Sequence, residues 1–211
     1  MGYNFFDGLG IHIAVELSAE EIGRGQQFLH ILQTEHVRIT PVPIDGPEAV
    51  VHNGIPAGGG HGHAVEEHLI CTVGVVELLF DQGIGDIFVI RTAGNNVNSE
   101  MVMGSVDYAI EHLGVKLLLV LGHGSCGGVT GAISEGEEEH GNIGTLLSAI
   151  RDDVSQYVGK TDSLEAAIHH HAHVQVERIV AYPHVSEKIE NGELLVKRAY
   201  YDVNTGKITV F

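Results

Sequence analysis

Basic residues are scarce in this 211-residue chain, which carries 11 lysines and arginines against 28 aspartates and glutamates. The formal net charge at pH 7 is −17. Because nucleic-acid binding depends on lysine and arginine contacts with phosphates, this composition argues against a nucleic-acid partner. Long hydrophobic runs are also missing, since no apolar stretch approaches the ~18 residues that a membrane-spanning helix requires. We therefore expect no membrane partner.

Cysteine is limited to two residues, Cys71 and Cys126. The first six residues, Met1–Phe6, lack the basic region of a signal peptide. We therefore expect a cytoplasmic protein, in which thiols stay reduced. In such proteins a cysteine serves more often as a metal ligand or catalyst than as half of a disulfide.

The composition is typical of a globular α/β protein, with 44% hydrophobic residues, 28 glycines and only 5 prolines. Apolar runs alternate with helical patterns, which predicts a mostly parallel central sheet flanked by helices. The two C-terminal runs, joined by a short turn, predict an antiparallel edge. The predicted strands are 68–73, 86–91, 116–121, 194–203 and 207–211, and the predicted helices after the first strand are 75–82, 99–113, 126–134, 141–157, 162–181 and one that begins at Pro183.

The predicted domain organisation is a single domain over residues 1–211. Residues 1–67 contribute a helix at 18–34 and a long loop at 41–63, whereas residues 68–211 form the core.

The turn after the predicted strand at 116–121 carries the clearest chemical signal. It is rich in glycine and presents His123 and Cys126, an imidazole and a thiol three residues apart. Open α/β sheets bind ligands at the carboxyl ends of their strands. Zinc accepts mixed nitrogen and sulfur ligands. The spacing therefore predicts that both side chains face one zinc ion.

The same segment permits two other interpretations. Gly122, Gly124 and Gly127 spell G-x-G-x-x-G, the fingerprint of dinucleotide binding. That fingerprint normally opens the first βαβ unit and is followed about 20 residues later by an acidic residue after a strand. Here it begins only at residue 122, and the polar stretch 135–140 has no strand before it, so this hypothesis is the weaker one. Alternatively, the histidine and cysteine simply pack inside the protein.

Further histidines fall into two groups. His61 and His63 lie in a glycine-rich loop, where they could bind a metal or shuttle protons, although solvated loop histidines are the simpler interpretation. A second group lies in the predicted helix at 162–181, where we expect surface positions; its members are His169, His170, His171 and His173.

Several segments resemble the β-class carbonic anhydrases. The resemblance is most specific in the middle of the chain and covers roughly residues 68–211. The matching segments are Phe80–Asn95, Ser105–Val115 and Gly122–Val129, followed by Gln175–Ile179, Pro183, Asn191–Leu194 and Tyr200–Lys207.

The resemblance implies a zinc ion held by two cysteines and one histidine. His123 and Cys126 fall on the family's His-x-x-Cys pair, and Cys71 is the other thiol. In the family the first cysteine belongs to a Cys-x-Asp-x-Arg motif, whose Asp and Arg form a pair beside the metal. Val73 and Val75 stand at those two positions here. An ungapped alignment would instead place Cys71 at the Asp position, and either alignment leaves it near the metal.

The resemblance also implies an enzyme of the carbonic anhydrase type, a zinc lyase that reversibly hydrates carbon dioxide to bicarbonate. The reactive group would be water on the zinc, in a homodimer or higher homo-oligomer. Arg91, Gly94 and Asn95 are candidates to support that water in place of the missing pair. Because the pair is missing, two alternatives stay open. One is a hydrolase of carbonyl sulfide or carbon disulfide, and the other is a zinc-binding homologue without hydratase activity.

Overall fold

The computed structural model describes residues 9–15 as a backbone strand, together with residues 76–80, 82, 85–136 and 139–211. Its strands are β1 Leu9–Val15, β2 Ile87–Ala93, β3 Leu117–His123, β4 Leu195–Asp202 and β5 Lys207–Val210. Its α-helices are α1 Val76–Leu79, α2 Glu100–Glu111, α3 Gly127–Ile133, α4 Gly141–Asp153, α5 Leu164–Val180 and α6 Pro183–Glu190. The predicted helix at 18–34, loop at 41–63 and strand at 68–73 lie outside the described residues.

The described strands form one mixed sheet in the order β2-β1-β3-β4-β5. β3 and β4 are parallel, whereas β1 is antiparallel to both of its neighbours and β5 is antiparallel to β4. The α/β class and the antiparallel C-terminal edge are therefore confirmed. The predicted strands β2, β3 and β4 run in the same direction, as expected, but β1 lies between β2 and β3 and runs antiparallel to both.

Strand β1 was not predicted. Its place between β2 and β3 depends on pairing with residues far along the chain, such as Ile11 with Leu121 and Ile11 with Arg91. Local hydrophobic pattern does not report such long-range pairing, which is why the sequence did not reveal it. The other described elements agree with the predicted ones to within a few residues at each end.

Strand β3 is buried along its whole length, as expected for a strand covered on both faces. Its side chains alternate between two clusters because successive residues of a strand point to opposite faces. Leu117, Leu119 and Leu121 belong to one cluster, which also contains Val76 of α1 and Ile208 of β5. Leu118 and Val120 pack with α2, α5 and α6. Residues 117–121, which lead to the carboxyl end of β3, are therefore packed on both faces of the sheet.

Candidate metal centre

The end of β3 and the start of α3 bring two predicted ligands onto one short turn. His123 is the last residue of β3, and Cys126 is the N-cap of α3. Between them, Ser125 adopts a left-handed backbone with φ of 57°, which reverses the chain. The Gly124 N–H donates to the Tyr201 carbonyl at 2.9 Å, so that the turn is tied to β4.

The imidazole of His123 is buried and has a defined tautomer. Its Nδ1 lies 2.9 Å from the carbonyl oxygen of Gly124. Since a carbonyl can only accept, Nδ1 carries the proton, and in the neutral ring the lone pair is on Nε2. A backbone carbonyl that holds one ring nitrogen in this way is the usual partner of a metal-ligating histidine.

The thiol of Cys126 is buried, with 2% of the residue exposed. Burial raises the pKa of the Cys126 thiol, whereas the backbone amides of Gly128 and Val129 act in the opposite direction. Those amides favour the thiolate by hydrogen bonding, and a bound cation would favour it much more. Both described donors, a neutral imidazole and a soft sulfur, are therefore of the kinds that zinc accepts.

The remaining predicted ligands are not tested. Cys71, His61 and His63 lie outside the described residues, as do Val73 and Val75. Within the described ranges, no three histidine, cysteine or acidic side chains are grouped so that they could hold a metal ion. The described part of the centre therefore consists of His123 and Cys126.

The turn after β2 lies close to the first turn of α3, which follows Cys126. Gly94 and Asn95 are both buried there, whereas Arg91 is exposed on β2. A Cβ placed on Gly128 would come within 3.2 Å of both the Cα and the nitrogen of Gly94, which shows how closely the two backbones approach. Of the three predicted supporting residues, the structure thus brings the Gly94–Asn95 turn to the first turn of α3.

Asn95 has two unusual features. Its backbone is left-handed, with φ of 41°, and its N–H donates to the Thr92 carbonyl at 3.1 Å. Among the described residues, no hydrogen-bond partner is found for its buried side-chain Nδ2. A buried amide donor of this kind is costly unless something accepts from it.

The sequence missed a buried polar network that adjoins this turn. His171 is fully buried, so the predicted surface position is wrong for this histidine. Its Nε2 lies 2.6 Å from the Gly94 carbonyl, and its Nδ1 lies 3.1 Å from Oδ2 of Asp153. Arg178 donates to both oxygens of Asp153. Gln175 donates to Asp153 at 2.8 Å and accepts from the Val97 N–H at 3.0 Å.

The negative charge of Asp153 in this network is stabilised by its neighbours. Burial would raise the pKa of the Asp153 carboxyl, but hydrogen bonds and charge from His171 and Arg178 outweigh burial and hold it well below its ordinary value. A sequence signal for His171 did exist. It shares a helical face with Ile168, Ala172 and Gln175, all of which are buried on α5.

Packing explains two of the glycines in the dinucleotide-like pattern. A Cβ on Gly122 would lie 3.0 Å from Ile168, and one on Gly124 would lie 3.1 Å from the Tyr200 hydroxyl. These positions are therefore small because other parts of the protein approach them closely, without any need for a pyrophosphate.

Comparison with known proteins identifies the class. A family model described as carbonic anhydrase matches residues 74–208, and solved β-carbonic anhydrases share the fold. The chain therefore belongs to the β-carbonic anhydrase family.

Two relatives by sequence are mycobacterial. Carbonic anhydrase 2 of Mycobacterium tuberculosis is 36% identical over 138 residues, which is 62% of this chain and 65% of that protein. The carbonic anhydrase of Mycolicibacterium smegmatis is 43% identical over 81 residues, which is 37% of this chain and 39% of that protein. The match thus spans less than two thirds of either relative.

Two solved structures illustrate the shared fold. The Coccomyxa β-carbonic anhydrase in complex with acetazolamide has a TM-score of 0.57 at 26% identity, over 63% of this chain and 64% of that chain. One of two tetrameric β-carbonic anhydrases from Sordaria macrospora has a TM-score of 0.59 at 22% identity, over 64% of this chain and 73% of that chain. Within the described residues, no helix has the length and hydrophobicity that a membrane span requires.

Proposed function

We propose that this chain is a zinc lyase that reversibly hydrates carbon dioxide to bicarbonate, with His123, Cys126 and Cys71 holding the metal. Family membership supports the reaction. The observation that carries the proposal is the pairing of a buried imidazole and a buried thiol on one turn at the carboxyl end of the central strand.

The described donors fit the metal. The Gly124 carbonyl orients His123 so that Nε2 carries its lone pair. The amides of Gly128 and Val129 favour the thiolate of Cys126. With Cys71 as second thiolate, the three ligands would balance the charge of Zn²⁺. When bound, zinc supplies the Lewis acidity that activates a water molecule for attack on carbon dioxide.

Metal content tests the ligand set. Purified wild-type protein is expected to hold close to one zinc per chain by elemental analysis. His123→Ala, Cys126→Ser and Cys71→Ser should each lose most of it, because every ligand contributes directly. His173→Ala, at an exposed position of α5, is the control. Full zinc occupancy in Cys71→Ser would remove that residue from the site.

Carbon dioxide hydration tests the reaction. Stopped-flow measurement on metal-quantified protein should show a rate that scales with zinc content and disappears in Cys126→Ser. A zinc-loaded wild type without hydration above background would contradict the proposed activity.

One observation favours the second candidate, a zinc-binding homologue without hydratase activity. Val73 and Val75 stand where the family has its Asp and Arg, so no acidic and basic side chains are present at those positions. The loss of such an oriented partner typically lowers activity on the order of 10–100-fold. Val73→Asp combined with Val75→Arg should raise hydration at unchanged zinc content. If the double variant is slower than an already fast wild type, the alignment is wrong.

Measured turnover of carbonyl sulfide or carbon disulfide would favour the hydrolase alternative.

We also propose a cytoplasmic homodimer or higher homo-oligomer. The tetrameric Sordaria structures are consistent with assembly in this fold. Light scattering at micromolar concentration should give a mass at least twice that of the 22.6 kDa chain, and a monomer mass would refute the assembly.

A further inference from the structure

The buried network of α4 and α5 is separated from the turn that carries His123 and Cys126 by the backbone of Gly94. His171 donates from Nε2 to the Gly94 carbonyl at 2.6 Å. The backbone of Gly94 in turn lies close to Gly128, since a Cβ placed on Gly128 would be 3.2 Å from the Gly94 Cα and nitrogen. The amide of Gly128 is one of the two that act on the Cys126 thiol. His171, Gly94, Gly128 and the Cys126 thiol are therefore successive neighbours.

Both ring nitrogens of His171 are engaged. Nδ1 is closer to the Asp153 carboxylate, at 3.1 Å, than to the Gln175 amide nitrogen, at 3.3 Å. A carboxylate and a carbonyl can only accept, so the doubly protonated ring satisfies both contacts. Asp153 is itself held by Arg178, which fixes the direction in which the ring points. The imidazole therefore connects Asp153 of α4 to the Gly94 carbonyl in the turn after β2.

The turn after β2 has little freedom to move away. The Ile150 side chain occupies the space beside Gly94, since a Cβ there would lie 2.4 Å from Ile150 Cδ1. Ile150 also approaches Gly128, at 3.4 Å from a Cβ placed there. The Val97 N–H is bound by Gln175, one turn beyond His171 on α5. The turn is thus held by Ile150 and by α5, and it limits how closely the first turn of α3 can approach.

We propose that His171 is a positioning residue. Its ring, which is held by Asp153, keeps the Gly94 turn close to Gly128 and so fixes the position of the Cys126 sulfur for metal binding. The inference rests on the proposed function, in which Cys126 is a zinc ligand. His171 is the buried member of a group of histidines whose other members, His169, His170 and His173, are partly or largely exposed.

Two substitutions separate the donor that reaches Gly94 from the rest of the ring. In His171→Gln the amide nitrogen can take the place of Nε2, whereas in His171→Asn it reaches only as far as Nδ1. His173→Asn on the exposed face of the same helix is the matched control. The readouts are zinc affinity by chelator competition, the absorption spectrum of the cobalt-substituted protein, and the alkylation rate of Cys126 in zinc-free protein, measured by peptide mass spectrometry.

We expect His171→Asn to bind zinc roughly 10-fold more weakly, in line with the 10–100-fold effects of outer partners of metal ligands. Its cobalt spectrum should shift, and its Cys126 should be alkylated at least several-fold faster. The zinc affinity and the alkylation rate of His171→Gln should stay within about threefold of the wild-type values, and His173→Asn should match wild type. If His171 has a merely structural role, His171→Asn should have a lower unfolding midpoint, but its zinc affinity, cobalt spectrum and Cys126 alkylation rate should be unchanged when they are measured far below that midpoint. That result would overturn the inference.

The experiment also separates the two proposals. A wild type that binds no zinc defeats the proposed function, and the alkylation rates of zinc-free protein still decide the role of His171. If His171→Asn does not fold, an NMR titration of the wild-type protein with zinc tests the role of His171 instead. Zinc titration should then shift the ring NMR signals of His171 and not those of His173, and unchanged His171 signals would refute the coupling.

Discussion

Gly128→Ala tests the close approach between Gly94 and the first turn of α3. The new Cβ would lie 3.2 Å from the Cα and nitrogen of Gly94, and 3.4 Å from Ile150 Cδ1. Backbone atoms can yield only if the whole turn moves. That turn is held by the hydrogen bond from His171 and by the Ile150 side chain. The substitution therefore has to displace either Gly94 or the first turn of α3.

The expected change in the free energy of unfolding follows from two opposing effects. Replacing a helical glycine by alanine stabilises by about 0.5–1 kcal/mol when nothing obstructs the new methyl group. Inserting a methyl group into a filled space typically costs about 1–3 kcal/mol. We expect the second effect to win, so that Gly128→Ala lowers the free energy of unfolding by about 1–2 kcal/mol.

Gly104→Ala is the matched control, because Gly104 lies within α2 and a Cβ there would have no neighbour within 4 Å. It should raise the free energy of unfolding by about 0.5–1 kcal/mol. Urea unfolding of zinc-free protein, analysed by linear extrapolation, measures both variants against wild type. If Gly128→Ala proves as stabilising as Gly104→Ala, the close approach of Gly94 and Gly128 is refuted. Unchanged zinc affinity in a destabilised Gly128→Ala would show that this contact does not govern the metal site.

Two further predictions concern the surrounding residues. Asp153→Asn should lower the free energy of unfolding by about 2–4 kcal/mol, because it removes the buried carboxylate charge that pairs with Arg178 and contacts His171. Since the folded-state pKa of Asp153 is depressed, its stabilising contribution is present above the ordinary aspartate pKa of about 3.9 and is lost as pH falls through the lower folded value. Urea midpoints from pH 7 to pH 2 should therefore fall more for wild type than for Asp153→Asn, and parallel curves would contradict this assignment. Ser125→Gly should raise the melting temperature slightly, by the equivalent of about 0.5–1 kcal/mol, because glycine adopts the φ of 57° without strain. Ser125→Val should lower it, and equal melting temperatures for the two variants would argue against a left-handed turn.

Residue spacing alone could predict much of the candidate metal centre. A buried strand, a glycine-rich turn and a helix follow one another within residues 117–133, and their geometry depends on local backbone preferences. His123 and Cys126 are three residues apart, so the turn itself brings them together. The helices α2 to α6 and the C-terminal hairpin were predictable for the same reason, since their periodic patterns are contained within each element.

The position of β1 in the sheet was decided only by tertiary structure. Each of its residues pairs with partners from two distant strands, and the hydrophobic pattern of Leu9–Val15 does not specify a direction or a neighbour. A prediction based on strand–helix alternation assumes parallel strands, and an inserted antiparallel strand breaks that assumption.

His171 shows the same division at the level of one side chain. The sequence by itself determined that residues 169–173 form part of a helix, and that the helix carries four histidines. It could not determine that one of them faces Asp153, because that carboxylate comes from a separate helix and meets the ring only when α4 and α5 pack together. Local preferences select helices and turns, whereas the burial of a polar group depends on whether distant partners arrive to satisfy it.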